Sequence, residues 1–258
     1  MSFWNTLTDI AIVRASHLAE LQSTRKDARA WQFLRAMPQE QHNNIVAYWD
    51  QGKAQHQQDI FALASTGFKK GGYFVEFGAT DGVLLSNSWL LEKKFGWSGI
   101  LSEPARVWHK RLPTNRACHI ETDCVWSKSG DTLQFHESKS AVLSTISDFK
   151  ASDRMSRRRR RGKSYEVSTI TLNDLLAKYE APKVIDFLSV DTEGSEFEIL
   201  RNFDFSAHEV RGIAVEHNQS PLRADLYELL TKVGYTRVLP ELSSCDDWYV
   251  LPGKTTLA

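Results

Sequence analysis

Four stretches of the sequence set carboxylates directly after an apolar run. Val75-Glu-Phe-Gly-Ala-Thr-Asp-Gly82 carries Glu76 and Asp81 around Gly78 and Gly82, and Ser98-Gly-Ile-Leu-Ser-Glu103 ends in Glu103. Val184-Ile-Asp-Phe-Leu-Ser-Val190 runs into Asp191, Glu193 and Glu196, and Val210 to Val215 runs into Glu216 and His217. Carboxylates so concentrated are costly unless they are solvated, paired or used. The two glycines let the backbone turn sharply and approach a ligand closely. Their spacing is G-x-x-x-G, not the G-x-G-x-x-G that seats a dinucleotide pyrophosphate on a helix N-terminus. Glu76 and Asp81 would also repel a phosphate, so a cofactor with a cationic end fits this turn better. Glu103 lies 25 residues past Gly78. In nucleotide-binding α/β folds an acid about 20 residues beyond the glycine turn accepts ribose hydroxyls.

These residues need a scaffold that brings strand ends together. Tyr73 to Phe77 is a β-branched and aromatic run that stops at the glycine turn. An apolar-periodic segment (Val83, Leu84, Leu85, Leu90, Leu91) follows and is expected to be helical from its start. Ser98 to Ser102 is the second strand. Residues 117–125 are expected to form a third, leading into Asp123 and Cys124. Thr132 to His136 and Tyr165 to Ile170 alternate as a strand pair at the sheet's margin. Thr171-Leu-Asn-Asp174 resembles a capping box ahead of a helix. The run from Val184 to Val190, apolar at most positions, is a central strand covered on both faces. Ser220-Pro221 is expected to cap a helix that Gly234 closes. Tyr235 to Leu239 and Trp248 to Leu251 finish as strands joined by an acidic loop with Asp246 and Asp247. The alternation predicts a mostly parallel sheet with an antiparallel edge.

Residues 1–70 carry no strand signal. Ile10, Ile12, Val13, Leu18 and Leu21 suggest one helix. Trp31, Leu34 and Met37, with Phe33 beside them, suggest a second that Pro38 ends. A third spans about Gln55 to Ser65, with Ile60, Phe61 and Leu63 inward. The 258 residues carry no formal net charge, so no global field favours nucleic acid or a membrane surface. Cys118, Cys124 and Cys245 form no C-x-x-C, which argues for reduced thiols and a cytoplasmic location over a disulfide framework or zinc site. No apolar run approaches the roughly 18–20 residues of a membrane span. Arg157 to Arg161 is a block of like charge, read either as a solvated loop or as a flap over an anionic substrate.

Three motifs in this order resemble the FkbM family of S-adenosylmethionine-dependent methyltransferases: Val75 to Gly82, Ser102-Glu103-Pro104, and Ile185 to Glu196. The last, a hydrophobic strand into D-x-E-G-x-E, is the most specific. Gln58-Asp59 and Asp247-Trp248 match further family features, whereas Thr80 stands where the family usually has Asn. The resemblance implies a Rossmann-like class I α/β fold. Its sheet would have seven mostly parallel strands with an antiparallel edge strand, helices on both faces and a helical N-terminal extension. On that reading residues 1–54 are the extension and 55–258 the methyltransferase domain. It implies that Glu76, Gly78, Ala79, Asp81 and Gly82 surround the methionine part of S-adenosylmethionine. Glu103 would hold the ribose, Asp123 and Cys124 border the adenine, and Asp191 sit beside the methyl, with Glu193 a further catalytic candidate next to it.

The implied activity is O-methylation of a carbohydrate or glycosylated natural product. Its hydroxyl proton could pass to His217, whose ordinary pKa lies near working pH. His217 is equally readable as an ordinary strand-end histidine. Alternatively Asp191 and Glu216 could hold a divalent cation that acidifies the hydroxyl, with Mg²⁺ favoured by oxygen donors. The expected partner is this substrate, anionic if the arginine run closes over it. Neither nucleic acid nor an integral membrane is expected, and a homo-oligomer stays open. A non-catalytic carbohydrate- or partner-binding module with the same fold is the competing reading.

Overall fold

The computed structural model describes residues 28–138, 144–146 and 162–257. The helix expected near residues 10–21 and the Arg157–Arg161 run lie outside them. Residues 28–36 form helix α1, followed by a 3-10 turn at Gln39–Gln41 and α2 (His42–Tyr48). Helix α3 (Gln58–Ser65) leads into strand β1 (Tyr73–Phe77). Then come α4 (Trp89–Phe95), β2 (Ser98–Ser102), α5 (Leu112–Asn115) and β3 (His119–Glu121). Strands β4 (Cys124–Val125), β5 (Thr132–Ser138), β6 (Thr145–Ile146) and β7 (Gly162–Ile170) follow. Helix α6 (Leu172–Lys178), β8 (Val184–Val190), α7 (Glu196–Leu200), β9 (Glu209–Glu216) and α8 (Leu222–Lys232) alternate toward the end. Strands β10 (Thr236–Val238) and β11 (Asp246–Val250) complete the chain.

Seven strands form one sheet in the order β10-β11-β9-β8-β1-β2-β3. The strands from β3 across to β9 pair in parallel; β11 runs antiparallel to β9, with β10 antiparallel beyond it. Because side chains alternate across a strand, each strand feeds two cores. Phe74, Leu101, Phe187, Ala214 and Trp248 pack with α1 to α4 on one face. Val75, Ile100, Leu188, Val215 and Tyr249 pack with α6, α7 and α8 on the other. The chain leaves β1 through α4 on the first face and leaves β8 through α7 on the second. The connections therefore part company between β1 and β8, where such sheets open a crevice at the carboxyl ends of their strands.

Several local expectations change. Helix α4 begins only at Trp89. Asp81 accepts the backbone N–H groups of Val83 (3.0 Å) and Leu84 (2.8 Å), which closes a turn and leaves Leu84 and Leu85 exposed. The expected third strand ends at Glu121, whose carboxylate accepts the N–H groups of Thr122 and Asp123 (2.8 and 3.0 Å). The chain then turns into a separate four-stranded sheet, β4-β7-β5-β6, so the β5–β7 pair does not extend the main sheet. Asp246 and Asp247 open β11 and are buried, not looped out. Two arginines, Arg223 (2.9 and 2.7 Å) and Arg237 (3.3 Å), neutralise Asp247. Helix α8 has no side-chain cap from Ser220. Thr171 does accept the Asp174 N–H (3.1 Å), and Gly234, at φ +100, closes α8. On α1, Phe33 is buried and Trp31 is exposed. Phe33, Ile45 and Trp49 pack into the same core as Phe61 and Trp248, so α1 and α2 share the sheet's core.

Candidate active site

The crevice predicted by the topology is a real cleft, with about 1030 Å³ of empty space including its mouth. Its floor is made of strand ends: Glu76, Phe77 and Gly78 from β1, Ser102 and Glu103 from β2, Asp191 to Glu193 from β8, Glu216 from β9 and Asp246 from β11. Gln55, His56 and Gln58, before and at the start of α3, form one wall. The second sheet contributes Cys124, Phe135 and Ile146, with Ser144 beside them. Strand β6 is docked there by the Thr145 hydroxyl, which donates to the carbonyls of Thr192 (3.3 Å) and Glu193 (3.0 Å).

Glu103 is buried at the tip of β2. Its two oxygens accept the backbone N–H groups of Thr80 (2.8 Å) and Ala105 (2.8 Å). A carboxylate has about four lone-pair sites, so two remain for a ligand. Burial pushes its pKa up to about 7 against those two hydrogen bonds, with Glu137 and Glu76 adding repulsion. Glu76 is occupied differently. It accepts from Asn87 N–H (2.7 Å), from the Ser86 hydroxyl (3.1 Å) and from the Ser88 hydroxyl. The fully buried Arg116 lies behind it, bonded to Glu92 (2.7 Å), Ser86 (3.0 Å), Ser88 (2.9 Å) and the Gly82 carbonyl (3.1 Å). Glu76 thus shapes the turn as well as lining the cleft.

The glycines face the protein. A Cβ on Gly78 would lie 2.1 Å from the Asp191 carbonyl oxygen. One on Gly82 would lie 2.5 Å from Arg116 Cγ and 2.8 Å from Leu112 Cδ1. The close approach that these positions permit is strand to strand and loop to arginine. Ala79, Asp81, Gly82 and Asp123 do not line the cleft, whereas Glu76, Gly78, Glu103 and Cys124 do.

Across the switch point, Asp191, Glu193 and Glu216 bring one carboxylate oxygen each within 4.8 Å of one another. Burial raises the pKa of Asp191 and of Glu216 well above the ordinary value; Glu193 and Asp246 raise Asp191 further against a hydrogen bond with Glu216, and Asp191 and Glu193 raise Glu216 further. Glu216 Oε2 finds no hydrogen-bond partner among the described residues. Glu193 sits at φ +60, a left-handed conformation that an L side chain adopts only under constraint. Glu196, by contrast, is spent on the loop: its Oε1 accepts from Thr192 N–H, Thr192 Oγ1 and Gly194 N–H at 2.9 to 3.0 Å.

His217 is not in the cleft. Its imidazole is buried just past the end of β9, with Nδ1 accepting the Gln219 N–H (3.0 Å) and Nε2 3.8 Å from Asp247. Burial lowers its pKa, Asp247 partly opposing. The histidine that does line the cleft is His56. Among the described residues six carboxylates line the cleft (Glu76, Glu103, Asp191, Glu193, Glu216, Asp246), with no Lys or Arg. Such a lining favours a cation and repels pyrophosphate.

Residues 76–237 match the model of the Methyltransferase FkbM domain, well over half of the chain. The chain belongs to the FkbM methyltransferase family. No functionally curated protein matches it. A solved FkbM methyltransferase from Methylobacillus flagellatus KT is similar at 12% identity and a TM-score of 0.47, over 88% of this chain and 59% of that one. The precorrin-6y C5,15-methyltransferase of Geobacter metallireducens GS-15 is similar at 10% identity and 0.39, over 74% and 85%. This FkbM chain thus has its family motifs on strand tips around one acidic cleft. Among the described residues no helix is long and apolar enough to cross a membrane.

Proposed function

We propose that the chain is an S-adenosylmethionine-dependent O-methyltransferase acting on a hydroxyl of a carbohydrate or glycosylated natural product. The observation that carries this reading is the acidic cleft at the switch point, lined among the described residues by six carboxylates and no Lys or Arg. It suits a ligand bearing an ammonium and a sulfonium. When bound, S-adenosylmethionine would supply a methyl group on a positively charged leaving group. The free lone pairs of Glu103 accept ribose hydroxyls. The β8 tip holds Asp191 toward the middle of the cleft, where the substrate hydroxyl must align. The raised pKa values of Asp191 and Glu216 make an ionised member of this pair a better base than an ordinary carboxylate.

A second reading concerns the same pair together with Glu193. A divalent cation fits Asp191, Glu193 and Glu216, and the orphaned Glu216 Oε2 is the observation that favours it. Oxygen donors would select Mg²⁺, which acidifies a hydroxyl bound to it.

The test is calorimetric titration with S-adenosylhomocysteine, followed by transfer of radiolabelled methyl to a panel of methyl glycosides. Glu103→Gln keeps the volume but turns an amide N–H₂ toward groups that need an acceptor. Its affinity should fall about 10- to 100-fold, from roughly 1.5–3 kcal/mol of lost charged hydrogen bonding. No binding heat with wild type refutes the assignment. Binding without transfer to any acceptor favours the non-catalytic module.

A further inference from the structure

Resting on the functional reading above, we propose that residues 55–58 form the substrate wall of the cleft, with the His56 imidazole accepting a hydrogen bond from the hydroxyl to be methylated. Glu103 ends β2 and Asp246 begins β11, and these strands lie on opposite sides of the β1/β8 switch point. Four strand intervals separate them, about 19 Å at the usual spacing. A cofactor whose ribose sits at Glu103 places its methyl toward β8, which leaves the β9 and β11 end for the second molecule.

Residues 55–58 belong to that end. Gln58 Nε2 donates to Asp246 Oδ2 at 2.6 Å. The Gln58 Oε1 accepts the His56 N–H at 2.9 Å. Arg29 on α1 donates to the His56 carbonyl at 2.9 Å and to the carbonyl of Leu242, so it pins this turn to the segment before β11. The His56 backbone is held on both sides, yet its ring makes no hydrogen bond among the described residues while it lines the cleft. Burial and the nearby Arg29 lower its pKa to about 4, so the ring is neutral near pH 7 and offers one nitrogen as an acceptor. A proton held there would be weakly bound, and the carboxylates across the cleft are the stronger bases. His56 therefore orients the hydroxyl, and the amides of Gln55 and Gln58 supply further polar contacts. This lining suits a neutral, hydroxyl-rich substrate.

The first arm of the test needs no known substrate. Diethyl pyrocarbonate labelling, mapped by mass spectrometry, should modify His56 equally with and without saturating S-adenosylhomocysteine, while the buried His217 stays unlabelled. Shielding of His56 by a bound S-adenosylhomocysteine puts this wall on the cofactor side and overturns the inference alone. Calorimetry showing no binding removes the functional reading and this inference together. In a second arm, His56→Ala should bind S-adenosylhomocysteine within about threefold of wild type yet lose about 10- to 100-fold in methyl transfer to methyl glycosides. His56→Gln, whose amide oxygen accepts a hydrogen bond, should recover part of it. Undiminished transfer by His56→Ala overturns the proposal.

Discussion

Replacing Gly82 by alanine separates two roles that one glycine turn can play. In a ligand-facing role the added methyl blocks the cofactor and leaves the fold alone. The geometry here predicts the reverse. The new Cβ would stand 2.5 Å from Arg116 Cγ and 2.8 Å from Leu112 Cδ1. Arg116 cannot swing away, because its guanidinium is fixed by Glu92, the Gly82 carbonyl and two serines. At φ +82 an alanine also pays roughly 1–2 kcal/mol for the left-handed conformation. Overpacking adds roughly 1–3 kcal/mol. Together about 2–5 kcal/mol, at about 2–4 °C per kcal/mol for a chain of this size, lowers Tm by about 4–20 °C. Gly78→Ala should be worse still, since its Cβ meets a backbone carbonyl of β8's tip at 2.1 Å and nothing there can rotate aside. Scanning calorimetry of both variants, beside S-adenosylhomocysteine titrations, decides the matter. An unchanged Tm in Gly82→Ala with cofactor binding abolished would mean that this glycine faces the ligand instead.

Two further outcomes follow from the titrating groups. Glu103 (about 7), Asp59 and Asp246 (each about 6), Glu196, Asp191 and Glu216 all have pKa values raised first by burial. The folded state then binds more protons than the unfolded one, so this contribution is full below the unfolded pKa and is lost as pH rises through the folded values. The lowered pKa values of His56 and His217 act oppositely, but only below 6.5. Tm of the ligand-free protein should therefore fall between pH 6.5 and about 8. Mg²⁺ should recover part of the loss if the carboxylates hold it, and an unresponsive Tm removes the metal reading. His217→Gln should keep methyl transfer within about threefold of wild type, since its ring lies outside the cleft; a loss of transfer with an unchanged Tm would return His217 to the mechanism.

Much of this architecture is local enough to read from sequence. β1, β2, β8 and β9 are apolar runs ending in acids, and the glycine turn, Glu103 and the Asp191 segment converge as expected of strand tips. What could not be read is whatever a distant partner decides. Asp246 and Asp247 look like a loop because the partners that make them tolerable inside a strand, Gln58, Arg223 and Arg237, are 10 to 188 residues away. Leu84 and Leu85 keep a helical spacing, but the Asp81 side chain captures their turn first. Arg116, a lone basic residue without a motif, gives no sign that it anchors the glycine turn. The Gln58-Asp59 dipeptide could have pointed to the His56 wall. Gln58 turns into the cleft, while Asp59 holds the preceding loop through the N–H groups of Lys53 and Ala54 (3.1 and 3.4 Å).

Thr80 shows why a motif residue must be read as backbone before it is read as chemistry. Its φ is +50, its N–H is one of the two that Glu103 accepts, and its hydroxyl donates to the Leu84 carbonyl (2.7 Å). An asparagine, the residue the family motif usually has, tolerates this left-handed conformation better than a β-branched threonine. The threonine leaves the loop more strained without altering its hydrogen bond to Glu103. Glu103 is thus tied twice to the protein, through Thr80 and Ala105, before it meets any ligand. Among the described residues no Lys or Arg forms an ion pair with it, and the same is true of Asp191 and Glu216 across the switch point. A fold that keeps such groups unneutralised is less stable for it above neutral pH. On the proposed function, a ligand carrying positive charge between β2 and β9 would relieve that cost, and binding and chemistry would then share one electrostatic origin.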